Sequence, residues 1–148
     1  MAIIERASSA DLAALLSLLQ AQFEEHAIQT SSKTLREAVL AVLNSDRWGI
    51  FLLAREDGET VGVAAISYVW TLEHGGKSAW LDELYVVPER RGSGIGSALL
   101  DQVFAEVHKE GCLAIDLEVE QEHQRAVALY ERKGFERLRR TRLVRQLG

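Results

Sequence analysis

Asp82 and Glu83 are adjacent carboxylates inside the apolar run 81–87, and beyond Pro88 the glycines Gly92, Gly94 and Gly96 alternate ahead of an amphipathic segment. Each part can do chemistry. A carboxylate held near a ligand can take a proton from it. In a regular strand neighbouring side chains point to opposite faces, so only one of the two acids can face a given ligand. The turn made by Arg91, Gly92, Ser93, Gly94, Ile95, Gly96 and Ser97 offers something different. Glycines let a ligand approach the backbone closely, and the free N–H groups at a helix start point at an anion. A phosphorylated ligand is expected at this turn.

Two familiar phosphate patterns are excluded. A dinucleotide fingerprint needs a third glycine at position 97, which is Ser. A P-loop needs Lys-Ser/Thr after the glycines, and none follows. The turn taken alone also fits a tight strand-to-helix connection with no ligand. Tyr130, on a helix expected at about 123–133 beside Ala126 and Val127, taken alone fits a core aromatic. Cys112 begins an expected strand and reads as a packed small residue rather than a nucleophile. His26 and His74 have no metal-ligand spacing, so no metal is assigned.

The elements that must position these residues follow from period and punctuation. A first strand at 2–6 leads to Ser8-Ser9-Ala10-Asp11, a helix start of capping-box type. Leu12, Leu15, Leu16, Leu19 and Phe23 then recur at helical spacing, and a second helix is expected at about 34–43. Three strands follow, at 49–54, 60–72 and 78–87, with turns at Asp57-Gly58 and Gly75-Gly76. A helix at 94–110 has Ile95, Leu99, Val103 and Val107 on one face and ends at Gly111. A strand at 112–119, the helix at 123–133 and a strand or strand pair at 135–147 complete a mixed α/β sheet, expected as one domain over 1–148.

Composition bounds the function. The chain has 148 residues, 47% of them hydrophobic and 26% charged, enough for a real core. The formal net charge of −5 argues against general nucleic-acid binding, so a polyanion must be held by local groups. A single cysteine rules out an internal disulfide and fits a reducing compartment. No apolar run approaches the roughly 20 residues that span a bilayer. The first residues lack a signal-peptide pattern, so a cytoplasmic protein without membrane partners is expected.

Taken together, RRGSGIGSALL and the segment 119–135 change the reading. The first resembles the acetyl-CoA signature of the GNAT acetyltransferase superfamily, Gln/Arg-x-x-Gly-x-Gly/Ala, matched by Arg91, Gly94 and Gly96. The second resembles that superfamily's N-x-R-A-x-x-L-Y-x-x-x-G-F, matched by Arg125, Ala126, Leu129, Tyr130, Gly134 and Phe135. His123 stands where the family usually has Asn, a better helix cap that often contacts the cofactor. The stretch WLDELYVVPERRGSGIG is most similar to the diamine (spermidine/spermine-type and thialysine-type) acetyltransferases. The resemblance implies a single GNAT-like domain. Its sheet would be mixed but mostly antiparallel, of six to seven strands with splayed central parallel strands, flanked by four helices.

It also implies a reaction: direct transfer of acetyl from acetyl-CoA, as co-substrate, to a primary amine. The backbone of Leu84, Tyr85 and Val86 would pair with the pantetheine arm, and residues 91–97 and His123 would hold the rest of the cofactor. Asp82, favoured by the diamine-type relatives, or Glu83 would act as base, and Tyr130 would donate a proton to the departing sulfur. The acceptor, by this reading a small cationic amine, would be recognised outside these motifs, with Phe23, Glu24, Glu25, Glu73 and Trp80 as candidates. The arginine-rich tail 137–145 reads as a solvated face or a dimer edge, and relatives of this kind often form homodimers. Two other functions remain open: a non-catalytic acyl-CoA-binding regulatory module, and acetylation of protein or peptide amines.

Overall fold

Ser8 and Asp11 open the first helix as their spacing predicts. In the computed structural model, which describes residues 1–148, the Ser8 N–H donates to Asp11 Oδ2 at 2.8 Å and the Asp11 N–H donates to the Ser8 carbonyl at 2.9 Å. A 3-10 turn at Ser9–Asp11 runs into α1, Leu12–Glu25. The second helix, α2, Ser32–Leu43, starts earlier than expected. Its cap is Ser31, whose Oγ accepts from the Thr34 N–H at 3.0 Å.

The chain divides into two compact units, Met1–Glu118 and Val119–Gly148. The first holds a five-stranded sheet in the order β1-β2-β3-β4-β5. Its strands are β1, Ile3–Arg6; β2, Gly49–Glu56; β3, Glu59–Thr71; β4, Gly76–Val86; and β5, Ile115–Leu117. The β1–β4 pairs are antiparallel, and β5 lies parallel to β4. Asp57 and Gly58 close the β2–β3 hairpin with φ of 53° and 79°, the positive values that a two-residue turn of this twist requires.

Apolar alternation gives the sheet two buried faces. Leu53, Val63, Ala65 and Tyr85 meet Leu15, Leu18 and Leu19 of α1 and Leu35 and Val39 of α2. On the other face lies α3, Ile95–Lys109, whose Ile95, Leu99, Leu100, Val103 and Val107 are buried. A Cβ at Gly62 of β3 would stand 3.1 Å from Leu99 Cδ1, which places the even-numbered β3 residues under α3. No helix is long and apolar enough to cross a membrane.

The second unit contains α4, Gln124–Arg132, and the tail beyond it. Four α-helices are present as expected, but the strands number five, not six to seven. The tail 135–147 holds no strand, and only Ile115–Leu117 of the segment 112–119 is one. A strand is stable only in a ladder, and a two-stranded ribbon is marginal alone. Arg137, Arg139, Arg140, Arg142 and Arg145 would set like charges close together in such a ribbon.

Tyr68 of β3 carries an unmet donor. Its hydroxyl is buried with no hydrogen-bond partner, while Lys77 Nζ stands over its ring at 4.7 Å. Burial pushes its phenol up to about 12. Tyr68→Phe keeps the ring and removes the unsatisfied group, so stability should hold or rise by about 1 kcal/mol. Chemical denaturation checks this, and a clear loss of stability would mean that the hydroxyl has a partner.

Candidate functional site

The geometry of the site begins with an irregularity in β4. Ala65 stands opposite Glu83 and its neighbour Ile66 stands opposite Leu81, so Asp82 is an extra residue, a β-bulge. In a regular strand Leu81, Glu83 and Tyr85 would share a face. The bulge instead leaves Leu81 under α3 and turns Glu83 to the α1 side with Tyr85. Trp80, opposite Ser67, shares that α1-side face.

The bulge thus separates the two acids in environment. Asp82 is exposed, whereas Glu83 is half-buried. Gln22 of α1, itself buried, donates from Nε2 to Glu83 Oε2 at 3.2 Å. Burial pushes the Glu83 carboxyl above its ordinary value; the Gln22 hydrogen bond pulls against this, the Asp82 charge adds to it, and the His26 charge opposes it. Of the two carboxylates expected as bases, Glu83 has the environment of a proton acceptor.

The same strand offers a backbone edge that no neighbouring strand covers. β5 pairs with β4 only at Ala79, Trp80 and Leu81, while β4 continues to Val86. The parallel strands therefore part at the bulge. The Val87 N–H donates to the Val61 carbonyl at 2.9 Å, which fixes the alternation along the antiparallel ladder. Glu83 and Tyr85 then spend their backbone groups on β3, and those of Leu84 and Val86 turn to the parted side. Tyr85 was expected to offer its backbone there as well, and the register removes it.

That edge leads directly into the glycine turn. Gly92 and Gly94 have φ of 83° and 89°, and a Cβ at either would meet nothing within 4 Å. Backbone conformation rather than crowding requires glycine here, and the space beside the turn is open. The first intrahelical bond of α3 is from the Ala98 N–H to the Gly94 carbonyl at 3.0 Å. The N–H groups of Ile95, Gly96 and Ser97 thus head the helix without intrahelical partners, a ready anion site. Ser93 Oγ donates to the Arg90 carbonyl at 2.6 Å and braces the turn.

The arginines beside the turn are already paired. Arg91 Nε donates to the Val86 carbonyl at 2.8 Å, its Nη2 donates to Glu25 at 2.6 Å, and its guanidinium lies over the Tyr85 ring. Arg90 pairs with Glu56 and Glu59 of the β2–β3 hairpin. The backbone, not a free cation, is what this turn offers to an anion.

Other expected residues scatter. Phe23 packs against the α1–α2 core, Glu24 is exposed, and Glu25 belongs to the Arg91 pair. Glu73 is exposed in the β3–β4 loop, before β4 begins, ~20 Å of strand from Glu83 at the usual rise per residue. It is not brought to the site, whereas Trp80 is. In the second unit His123 is the N-cap of α4 but makes no side-chain capping bond. Tyr130 lies on α4 with its ring edge-on to Phe135, centroids 5.8 Å apart.

Gln22 and the bulge escaped the sequence reading. The α1 spacing Leu15, Leu18 or Leu19 reaches Gln22 next, so a polar residue on a core stripe was the available signal. No local pattern announces the bulge, because Asp82-Glu83 reads like any alternating pair.

Comparison with known proteins places these features in a family. The pattern of the acetyltransferase (GNAT) family matches residues 12–135. The uncharacterized N-acetyltransferase YhfO of Bacillus subtilis (strain 168) is 29% identical over 133 residues, 90% of this chain and 89% of that protein. Among solved structures, an integron cassette protein, HFX_CASS3, from the mobile metagenome of Cole Harbour Salt Marsh superposes with a TM-score of 0.87 at 26% identity, covering 98% of this chain and 90% of that one. The aminoglycoside N-acetyltransferase AAC(6')-Iy, solved with CoA, superposes with a TM-score of 0.84 over 99% of this chain and 95% of its own; at 18% identity this likeness is one of fold alone.

Proposed function

Because the chain belongs to the acetyltransferase (GNAT) family, we propose that this N-acetyltransferase moves an acetyl group from acetyl-CoA directly to the primary amine of a small cationic acceptor. One observation carries the reading: the β4 edge that no strand covers, with the Leu84 backbone and the Val86 N–H open and the Val86 carbonyl held by Arg91, runs from the half-buried Glu83 into the N–H groups at the head of α3. A ligand with an amide-bearing arm and a diphosphate fits such a track. The residues present suit acetyl-CoA, and a fold neighbour was solved with CoA.

When bound, acetyl-CoA supplies an activated acetyl thioester. The chain's own groups do the rest. The Leu84 backbone and the Val86 N–H pair with the arm, and an N–H of that edge polarises the carbonyl. Residues 91–97 hold the diphosphate through backbone N–H groups. An alkylammonium, with an ordinary pKa of about 10.4, must lose a proton before it can attack. Glu83 takes that proton, directly or through water, and Asp82, exposed on the bulge, serves as a nearby charge that draws cations. Tyr130 Oη gives a proton to the departing sulfur, a role that rests on the motif it shares with the family. A second copy of the chain covering the exposed Leu143, Val144 and Leu147 of the tail would complete a homodimer.

Gly94→Val tests the diphosphate site. A side chain at a φ of 89° should cost about 1–3 kcal/mol, and it would also project into the ligand's space. Calorimetric titration with CoA should show markedly weaker binding, and an unchanged affinity would place the diphosphate elsewhere. The acceptor class is tested by free-thiol release across a panel of diamines, amino acids, aminoglycosides and peptides. Small cationic amines should give the highest kcat/KM, and preferential acetylation of peptides would replace this acceptor with a protein amine.

A further inference from the structure

Gln22 is one of two buried polar residues in the first unit's core, with 9% of its surface exposed; the other is Ser78. It continues the buried stripe of α1 set by Leu15, Leu18 and Leu19, where a leucine would pack without any polar cost. Its amide instead reaches across to β4 and donates to Glu83 Oε2 at 3.2 Å. No feature of the helix itself asks for this residue. The bond joins two positions 61 apart in sequence, and it exists only because the bulge at Asp82 turns Glu83 toward α1.

We propose that Gln22 is the positioning residue of Glu83: its buried amide grips Oε2 and leaves Oε1 to take the proton of the acceptor amine. This rests on the reading of Glu83 as the base. An amide suits the task better than the alternatives. Lys or Arg at position 22 would hold the carboxylate ionised and make it a weak base. A leucine would leave the ionised form without its donor in a half-buried site. A neutral amide supports the carboxylate through Nε2 and, after a flip, accepts from the protonated acid through its oxygen. The other charged groups that act on Glu83 are Asp82 on β4 and His26 at the end of α1, of opposite effect. Gln22 is the neutral hydrogen-bonding group between them.

The test is the pH profile of kcat/KM in the full chain, for wild type, Gln22→Leu and Gln22→Met. Both variants fit a leucine-like stripe, and circular dichroism checks that each remains folded. Loss of the donor should move the acid limb of the profile to higher pH and lower kcat/KM at neutral pH about tenfold, with KM for acetyl-CoA unchanged. Adding Gln22→Leu to Glu83→Gln should cause no further loss. A limb that stays in place in both variants, whatever happens to the rate, would make Gln22 a packing residue and overturn the proposal. A limb that persists in Glu83→Gln itself would overturn the base assignment instead.

Discussion

Glu83→Gln should lower kcat/KM by about 10²–10⁴, the span of a lost general base, while leaving the protein equally or more stable at neutral pH. Both halves come from one environment. The carboxyl is half-buried and its proton affinity is raised by that burial, so the folded chain binds this proton more tightly than the unfolded chain does. For an acid shifted this way, stability is favoured below the ordinary carboxylate pKa of about 4.3 and declines as pH rises through the higher folded value. At neutral pH the ionised group therefore opposes folding, and the neutral amide relieves this. Activity runs the other way. The base must be ionised, so wild-type kcat/KM should fall with acid along a limb lying above the ordinary carboxylate range, and the variant should lack that limb. Denaturation and a pH–rate profile measure the two halves. Destabilisation with an intact limb would make Glu83 a structural partner of α1, and the base would return to Asp82.

Tyr130→Phe should lower kcat by about 10²–10⁴ with little change in CoA affinity. The backbone and ring contacts that place Tyr130 do not use its hydroxyl. Phe135 N–H donates to the Tyr130 carbonyl at 3.0 Å, Gly134 turns the chain at a φ of 97°, and the two rings meet edge-on. Phenylalanine retains every one of those contacts. If the hydroxyl acts as proposed, by giving a proton to the departing sulfur, acyl donors with better leaving groups should recover part of the rate. Turnover unchanged at saturating substrate would remove Tyr130 from the reaction, and a parallel loss of CoA binding would make it a cofactor contact.

The sequence showed the parts of this site that depend on local chemistry. Gly92 and Gly94 between a proline-stopped strand and an amphipathic helix announce a tight turn with exposed backbone N–H groups, because left-handed backbone needs glycine. Ser8 and Asp11, Asp57 and Gly58, and the leucine periods of α1 and α3 place the scaffold for similar reasons. What could not be read depends on pairing between distant segments. The bulge is set by Ala65 and Ile66 of β3 as much as by β4, and it is what leads the proposed mechanism to Glu83 rather than Asp82. Gln22 meets Glu83 only because of that bulge. Arg90 and Arg91 look like free cations in the sequence, yet each is met by glutamates from other elements. The arginine tail fails as a strand because strand formation needs a partner, and composition does not supply one.

In the proposed mechanism the open β4 edge and Glu83 together perform acetyl transfer rather than mere CoA recognition. The most direct measurement is free-thiol release from acetyl-CoA on addition of a small cationic amine, with the acetylated amine counted in parallel. Thiol and acetylated amine should appear in equal amounts with the wild type and fall together in Glu83→Gln. Saturable binding of acetyl-CoA without thiol release above the enzyme-free background for any amine would contradict it, and would leave a binding module in its place.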